Sequence, residues 1–188
     1  MAPRDPEAKR RALLEAALAE FAEHGIAGAR IDRLAGRAGC SPGLVYTYFA
    51  SKEKLFEAVF DQVVVQATEE APISVDDLPE YAGALFDGQT AHPDVMRLAT
   101  WHSLEQREGR SAIEAITKAN QAKVDAIRQA QEEGRISTRF TAAELLVLII
   151  NTASMWTLQT PEISDLGPRE HAARRATIVE AVRRLVEP

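Results

Sequence analysis

Apolar residues recur three and four apart along most of the chain and almost nowhere alternate, so the pattern predicts helices joined by short polar breaks. Leu14, Ala17, Leu18 and Phe21 share one face of a first helix over about Pro6–His24, with Gly25 as its left-handed stop. After Gly28, a short helix over about Arg30–Ala38 sets Ile31, Leu34, Ala35 and Ala38 on one side and Arg30, Arg33 and Arg37 on another. Gly39 and Cys40 break it. Ser41 and Pro42, a cap residue followed by a proline that needs no amide partner, open another short helix that ends at Phe49-Ala50. Ser51 is expected to cap a longer helix with Leu55, Phe56, Val59, Phe60 and Val63 inward, reaching about Glu70.

Behind Ala71-Pro72 the same periodicity continues. Ser74 is the expected cap of a helix through Leu78, Tyr81, Ala82, Leu85 and Phe86, ending near Gly88. His92-Pro93 starts a helix carrying Val95, Met96, Leu98, Trp101 and Leu104 as far as Gly109. Ser111 with Glu114, and Thr141 with Glu144, read as capping boxes. The first introduces Ile113, Ile116, Val124 and Ile127 with closure at Gly134; the second introduces Leu145 through Trp156. Gly167-Pro168 precedes a last helix whose Ala172, Ala176, Val179, Val182, Leu185 and Val186 are expected along one broad face. About nine helices result, without internal repeats.

Composition narrows the class. A chain of 188 residues, 46% hydrophobic and 27% charged, is long enough to bury one core or a core with a satellite domain. Met1–Arg11 is charged and polar, and the longest apolar run, Leu145–Ile150, is too short to span a bilayer, so the expectation is a cytoplasmic protein with no membrane partner. The single cysteine, Cys40, has neither a disulfide partner nor a second soft ligand for zinc. The net charge of −6 argues against nucleic acid until it is divided along the chain. Residues 1–60 hold nine Lys/Arg against eight Asp/Glu, so the net acidity belongs to the rest.

Two short helices joined through a glycine and braced by a longer helix on either side have the layout of a helix-turn-helix reader. The segment Ala35–Phe56, AGRAGCSPGLVYTYFASKEKLF, resembles the signature of the TetR family of transcriptional regulators, in which an Ala-x-x-Ala-Gly turn leads to Ser-x-Gly, Tyr-x-Tyr/His-Phe and then Lys-Glu-x-Leu. The likeness covers about residues 9–60; the remainder is similar to the family in helical layout. The resemblance implies an all-α fold: an N-terminal three-helix helix-turn-helix domain, residues 1–50, joined by a fourth helix to a C-terminal ligand-binding and dimerisation domain within residues 51–188. The implied function is sequence-specific DNA binding by a repressor that a small molecule releases, without enzymatic activity or cofactor. An activator of the same fold, or a helical protein-interaction module, are the alternatives.

The candidate DNA contacts are Arg30, Ser41, Pro42, Gly43, Leu44, Tyr46, Thr47, Tyr48 and Lys52. Gly43 removes a side chain near the amino end of the reading helix, whose open amides favour phosphate. Ser41 either caps that helix or meets phosphate, or both. Val45 and Phe49, four apart, belong to the core face and leave Leu44, Tyr46, Thr47 and Tyr48 outward. By resemblance Tyr46 and Tyr48 lie near phosphates, with core packing as the alternative, and Thr47 reaches a base or the backbone. Lys52 opposes the dipole of the helix it starts, which a nearby phosphate would reverse. Arg30 is the preferred phosphate contact of its stripe; Arg33 and Arg37 are either solvated or paired with Asp32 or Glu53.

The chain departs from the family pattern at three places. Ala29-Arg30 lacks the usual cap hydroxyl, Leu44 replaces a small polar residue and suits a thymine methyl, and Cys40 stands where valine is common and reads as a small buried hydrophobe.

One short reading helix offers few base contacts, so a two-fold homodimer on a pseudo-palindromic operator is expected. The last two helices are its expected source, with Val182 as the position facing the partner. Tyr81, Phe86, Met96, Trp101, His102, Asn120, Asn151, Met155 and Trp156 mix aromatic, soft and polar groups suited to the wall of an effector pocket, although each also has an ordinary packing reading. By family resemblance, effector binding tilts the fourth helix and respaces the two readers. The four histidines lie in separate segments, and no H-E-x-x-H or phosphate-cradling glycine loop accompanies them, which disfavours an enzyme.

Overall fold

A computed structural model describes residues 5–105 and 113–187. They form ten helices: α1 Pro6–Gly28, α2 Ile31–Arg37, α3 Pro42–Phe49, α4 Lys52–Glu70, α5 Leu78–Ala91, α6 Pro93–Glu105, α7 Glu114–Glu132, α8 Ala142–Ala153, α9 Pro161–Ser164 and α10 His171–Val186. The chain divides into two compact units, residues 1–64 with 93–116, and residues 65–92 with 117–188. Helix α4 thus contributes its first thirteen residues, 52–64, to one unit and the rest to the other. No helix among the described residues is long and apolar enough to cross a membrane.

The first unit is built on the stripe of α1. Leu13, Leu14, Ala17 and Phe21 are buried with Leu34, Val45, Leu55, Phe56 and, from α6, Leu98. Phe21 meets Phe56 edge to face at 5.2 Å between ring centres, and Phe56 meets Phe60 at 4.9 Å, within the range that favours aromatic pairs. Gly25 does take a positive φ of 69°, but the helix resumes beyond it to Gly28 instead of stopping. Arg97 Nε and Trp101 Nε1 both donate to the Ala22 carbonyl, at 3.1 and 3.2 Å, which ties α6 to α1 just before that break.

In the second unit α10 packs along α5, and both meet α8. Its core joins Leu78, Tyr81 and Phe86 to Ile127, Leu145, Ile149, Ile178 and Val182. The α5–α10 seam is sealed by charge: Arg175 is paired with Glu80 and, at 2.8 Å, with Asp87. Gly83 makes room for this, because a Cβ there would stand 2.8 Å from the guanidinium carbon of Arg175. Gln131 Nε2 donates to the carbonyls of Ser137 and Phe140, at 2.9 and 2.8 Å, and so holds the α7–α8 connection to the end of α7.

The caps divide between those expected and those displaced. Thr141 and Glu144 form the full reciprocal capping box, and Gly134 has a φ of 71° just beyond α7. Helix α5, by contrast, is capped by Asp77, whose carboxylate accepts from the Glu80 amide at 3.0 Å; Ser74 only opens a turn, its carbonyl accepting from the Asp77 amide. Three residues separate the two candidates, and the proline at position 79 suits the first turn after Asp77. The helix also runs past Gly88 to Ala91, and α8 gives way to turns after Ala153, short of Trp156. Helix α9 is one turn long and escapes a reading based on period. The expected stop at Gly109 and cap at Ser111 lie outside the described residues.

Helix α10 turns a different face to its core than the broad one expected. Ile178 and Val182 are both 0% exposed, whereas Ala172 and Ala176 are exposed. Val182 is therefore a core residue of its own subunit and is excluded as a partner-facing position. Val182→Glu should bury an unpaired carboxylate in the second unit at a cost of about 4 kcal/mol or more. Loss of cooperative thermal unfolding in circular dichroism is the expected result; a folded variant with unchanged melting would contradict this placement.

Candidate nucleic-acid interface

The turn between α2 and α3 is fixed by backbone hydrogen bonds. The Cys40 amide donates to Ala35 O at 2.9 Å and the Gly39 amide to Gly36 O at 3.2 Å, the two bonds of a Schellman closure, with Gly39 in the left-handed region at φ 59°. From α1, Lys9 Nζ donates to the carbonyls of Ala38 and Gly39, at 2.8 and 3.2 Å. The first helix thereby grips the turn that sets the direction of the reading helix.

Helix α3 begins with its amino end open. Ser41 has the extended backbone of a cap residue, yet its hydroxyl makes no capping hydrogen bond, so the capping half of its expected role is absent. A Cβ added to Gly43 would meet nothing within 4 Å, so no protein neighbour demands glycine there. Val45 and Phe49 are buried at 1% and 7% exposure, as their spacing predicts. Tyr46 is 49% exposed, and Thr47 is exposed with its hydroxyl donating back to Gly43 O at 3.0 Å. Leu44 and Tyr48 are half-buried; Tyr48 packs against the core, and its hydroxyl lies 3.5 Å from Pro6 O. Ser41, Leu44 and Tyr48 line one groove of about 670 Å³ together with Asp5, Pro6, Lys9 and Cys40.

The junction into α4 is tight. Ala50 adopts φ 57° and ψ −43°, and the Ser51 amide donates to Phe49 O at 2.6 Å, a three-residue turn of the strained kind. Ser51 Oγ accepts from the Lys54 amide at 3.2 Å, as expected of its cap. Lys52 Nζ lies 3.4 and 3.5 Å from the carbonyls of Ala29 and Ala27, a weak hold that offsets part of its conflict with the helix dipole.

The arginine stripe of α2 splits. Arg30 remains exposed, its guanidinium 3.9 Å from Asp32. Arg33 is bound to Glu20 of α1 at 2.7 Å and donates to Gly28 O at 2.9 Å, and Arg37 is bound to Glu23. Both thus pair with carboxylates of α1, where sequence spacing suggested Asp32 or Glu53, because the α1–α2 packing brings Glu20 and Glu23 near. Glu20 is 0% exposed and accepts both from Arg33 Nε and from the Arg30 amide, at 2.8 Å each. Burial would raise its pKa, but the hydrogen bonds from Arg33 and the Arg30 amide, with the charges of Arg33 and His24, outweigh it and hold the carboxyl below its ordinary 4.5. Glu20 and Lys9 are the site residues that sequence reasoning missed. Glu20 had a signal: it is an acid three residues after Ala17, on the apolar stripe of α1.

The candidate effector residues fall into both units. Met96, Trp101 and His102 belong to the first, where Trp101 is tied to α1 and His102 packs between Phe56 and Phe60 at 5.7 and 5.1 Å. Tyr81, Phe86, Asn120, Asn151, Met155 and Trp156 belong to the second. Phe86 is buried and stacks on His171 at 4.8 Å; Asn151 is exposed and donates to Val147 O within its own helix. Trp156 lies under the Arg174 guanidinium at 5.2 Å. The Tyr81 hydroxyl and the Trp156 indole nitrogen are buried without a hydrogen-bond partner among the described residues.

Residues 13–59 match the family model of bacterial regulatory proteins of the tetR family, and residues 77–184 match that of the tetracyclin repressor-like C-terminal domain. The chain belongs to the TetR family. Among TetR relatives, the transcriptional repressor SCO4008 of Streptomyces coelicolor is 36% identical over 192 aligned positions that span 100% of both chains. The regulator RutR of Escherichia coli is 42% identical over 57 residues, 30% of this chain and 27% of that one. The solved structure of the regulator SCO4942 of Streptomyces coelicolor superposes with a TM-score of 0.84 at 37% identity, covering 95% of this chain and 98% of its own. Salmonella enterica GusR shares the fold, with a TM-score of 0.71 at 22% identity over 97% of each chain. This is thus a DNA-binding regulator of TetR fold, with its helix-turn-helix at α2–α3.

Glu20→Gln removes the charge that orders this TetR reader. It should lower stability at neutral pH by about 1–3 kcal/mol, discounted because the arginine side of the pair is partly exposed. A carboxylate with a depressed folded pKa stabilises above its ordinary pKa and loses that contribution as pH falls through the folded value. The difference between wild type and variant in urea unfolding should therefore shrink as pH is lowered below 4.5. A gap constant with pH would remove the charge from the explanation.

Proposed function

We propose that the protein is a homodimeric repressor that binds a pseudo-palindromic DNA operator and releases it when a small-molecule effector binds. The observation that carries this reading is the uncapped amino end of α3, where Ser41, Pro42 and Gly43 are exposed and no described residue occupies the space beside Gly43. Such an end attracts phosphate through free amides and the helix dipole. Tyr46 and Thr47 face outward on the same helix, and Leu44 supplies an apolar contact for a thymine methyl. Arg30, exposed ahead of α2, and Lys52, at the start of α4, supply positive charge. The end-to-end likeness to a protein named as a repressor favours repression over activation. Residues 1–50 are assigned to DNA reading and 51–188 to dimerisation and effector binding, with α4 carrying the signal.

Surface left on α8 and α10 supports the dimer. Val147 is 59% exposed, Ala172 and Ala176 are exposed and Val179 is half-buried, an apolar set that the second unit's own core does not use. A two-fold axis uses each such residue twice.

Salt-dependent binding, sedimentation and half-site protection test the reading. Lys52→Ala should weaken binding to operator and to unrelated duplex by similar factors and reduce the salt slope by about 0.9; an unchanged slope would take Lys52 off the phosphates. Wild type should sediment as a dimer and protect half-sites centred roughly 34–36 Å apart, or a helical-turn multiple. Val147→Glu should yield a folded monomer with at least about tenfold weaker operator binding. Tight binding of a single half-site by wild-type monomer would defeat the dimer.

A further inference from the structure

Tyr81 on α5 is 3% exposed, and its hydroxyl, within the second unit, has no hydrogen-bond partner among the described residues. A buried phenol almost always finds one. Over its ring, 5.9 Å from the centre, stands the ammonium of Lys123 from α7. Lys123 is half-buried, and no carboxylate among the described residues pairs with it, whereas Arg175 has an acidic partner and Arg174 a carbonyl in the same unit. One turn earlier on the same face of α7 is the half-buried amide of Asn120, and the stripe continues through Val124 to the fully buried Ile127. A phenol donor without an acceptor, a cation without an anion and an apolar stripe converge on one chemical complement.

We propose that Lys123 and Tyr81 form a binding site for the carboxylate of a small organic acid with an apolar body, the ammonium supplying the counter-charge, the phenol donating a hydrogen bond and the α7 stripe covering the body. The assignment rests on the effector reading above and gives the effector its chemical class. Burial favours the neutral forms of both groups: it lowers the pKa of Lys123 and pushes that of Tyr81 up to about 12. The phenol therefore stays a donor across the physiological range, and a bound anion would favour the charged form of the lysine. A cation would be repelled, and a neutral amide would forgo the ion pair.

The test uses the full chain and three probes, 1-naphthoate, 4-phenylbutyrate and octanoate, each beside its primary amide. At least one acid should raise the melting temperature and bind about tenfold or more tightly than its amide in calorimetry. Lys123→Met should bring acid and amide within about twofold of each other, and Lys123→Arg should keep most of the preference. Tyr81→Phe should weaken the acid several-fold while leaving the ligand-free protein at least as stable, since it removes an unsatisfied buried hydroxyl; a purely structural tyrosine would lose stability instead. Failure of all three acids to exceed their amides, or a preference that survives in Lys123→Met, overturns the site. Operator release is followed in parallel. Acid binding through Lys123 without release would support the site and reject the effector role, whereas release by an amide independently of Lys123 would reject the acid site and keep the effector reading.

Discussion

A single carboxylate with no access to water organises the DNA-reading half of the protein. Glu20 accepts from the first amide of the α2 region and from the Arg33 side chain, so it fixes both where α2 begins and how it is rotated against α1. Everything downstream inherits that rotation. The turn closes on α2's own carbonyls, α3 leaves the turn at an angle set by Gly39, and Lys9 returns from α1 to hold the same turn from the other side. Two charged side chains of opposite sense, an acid of α1 gripping α2 and a base of α1 gripping the carbonyls of the turn, therefore set the orientation of a helix only eight residues long. Short helices have little cooperativity of their own, so such external fastening decides whether α3 presents one surface or many.

The desolvation of Glu20 is tolerable because its hydrogen bonds are charge-assisted and converge on one oxygen, while the second oxygen lies 3.9 Å from His24 and 4.0 Å from Arg37. Buried ion pairs of this kind add little net stability relative to an apolar packing, but an arrangement that separates the partners leaves a buried charge uncompensated and is penalised. For a reader that must keep its side chains aimed, a defined register matters more than a deeper energy minimum.

How far the sequence could be read depended on whether local or distant neighbours set each feature. Gly39, the Ser41-Pro42 start and the Thr141/Glu144 box depend on residues a few positions away, and the helix ends they mark fall where the local signals place them. The inward pair Val45 and Phe49 follows from spacing alone. The identity of ion-pair partners does not, since Arg33 and Arg37 find Glu20 and Glu23 only once α1 and α2 are packed. The same limit applies to α10. Its composition suits a broad apolar face, but the inward side goes with Arg175 reaching across Gly83 to Asp87 and Glu80, contacts 88 and 95 residues apart in sequence. That choice turned Val182 inward and left alanines outside. The choice of Asp77 over Ser74 as a cap was a nearer miss, between two plausible hydroxyl and carboxylate acceptors three residues apart.

The half-buried thiol of Cys40 has a practical meaning beyond its packing. It is the chain's single cysteine, and it lies in the groove where Ser41, Leu44 and Tyr48 meet the start of α1. A thiol-directed fluorophore would therefore attach at one chemically defined point per subunit, beside the amino end of the reading helix. Its emission would report the polarity and crowding of that groove directly, making the protein its own optical sensor of what approaches α3.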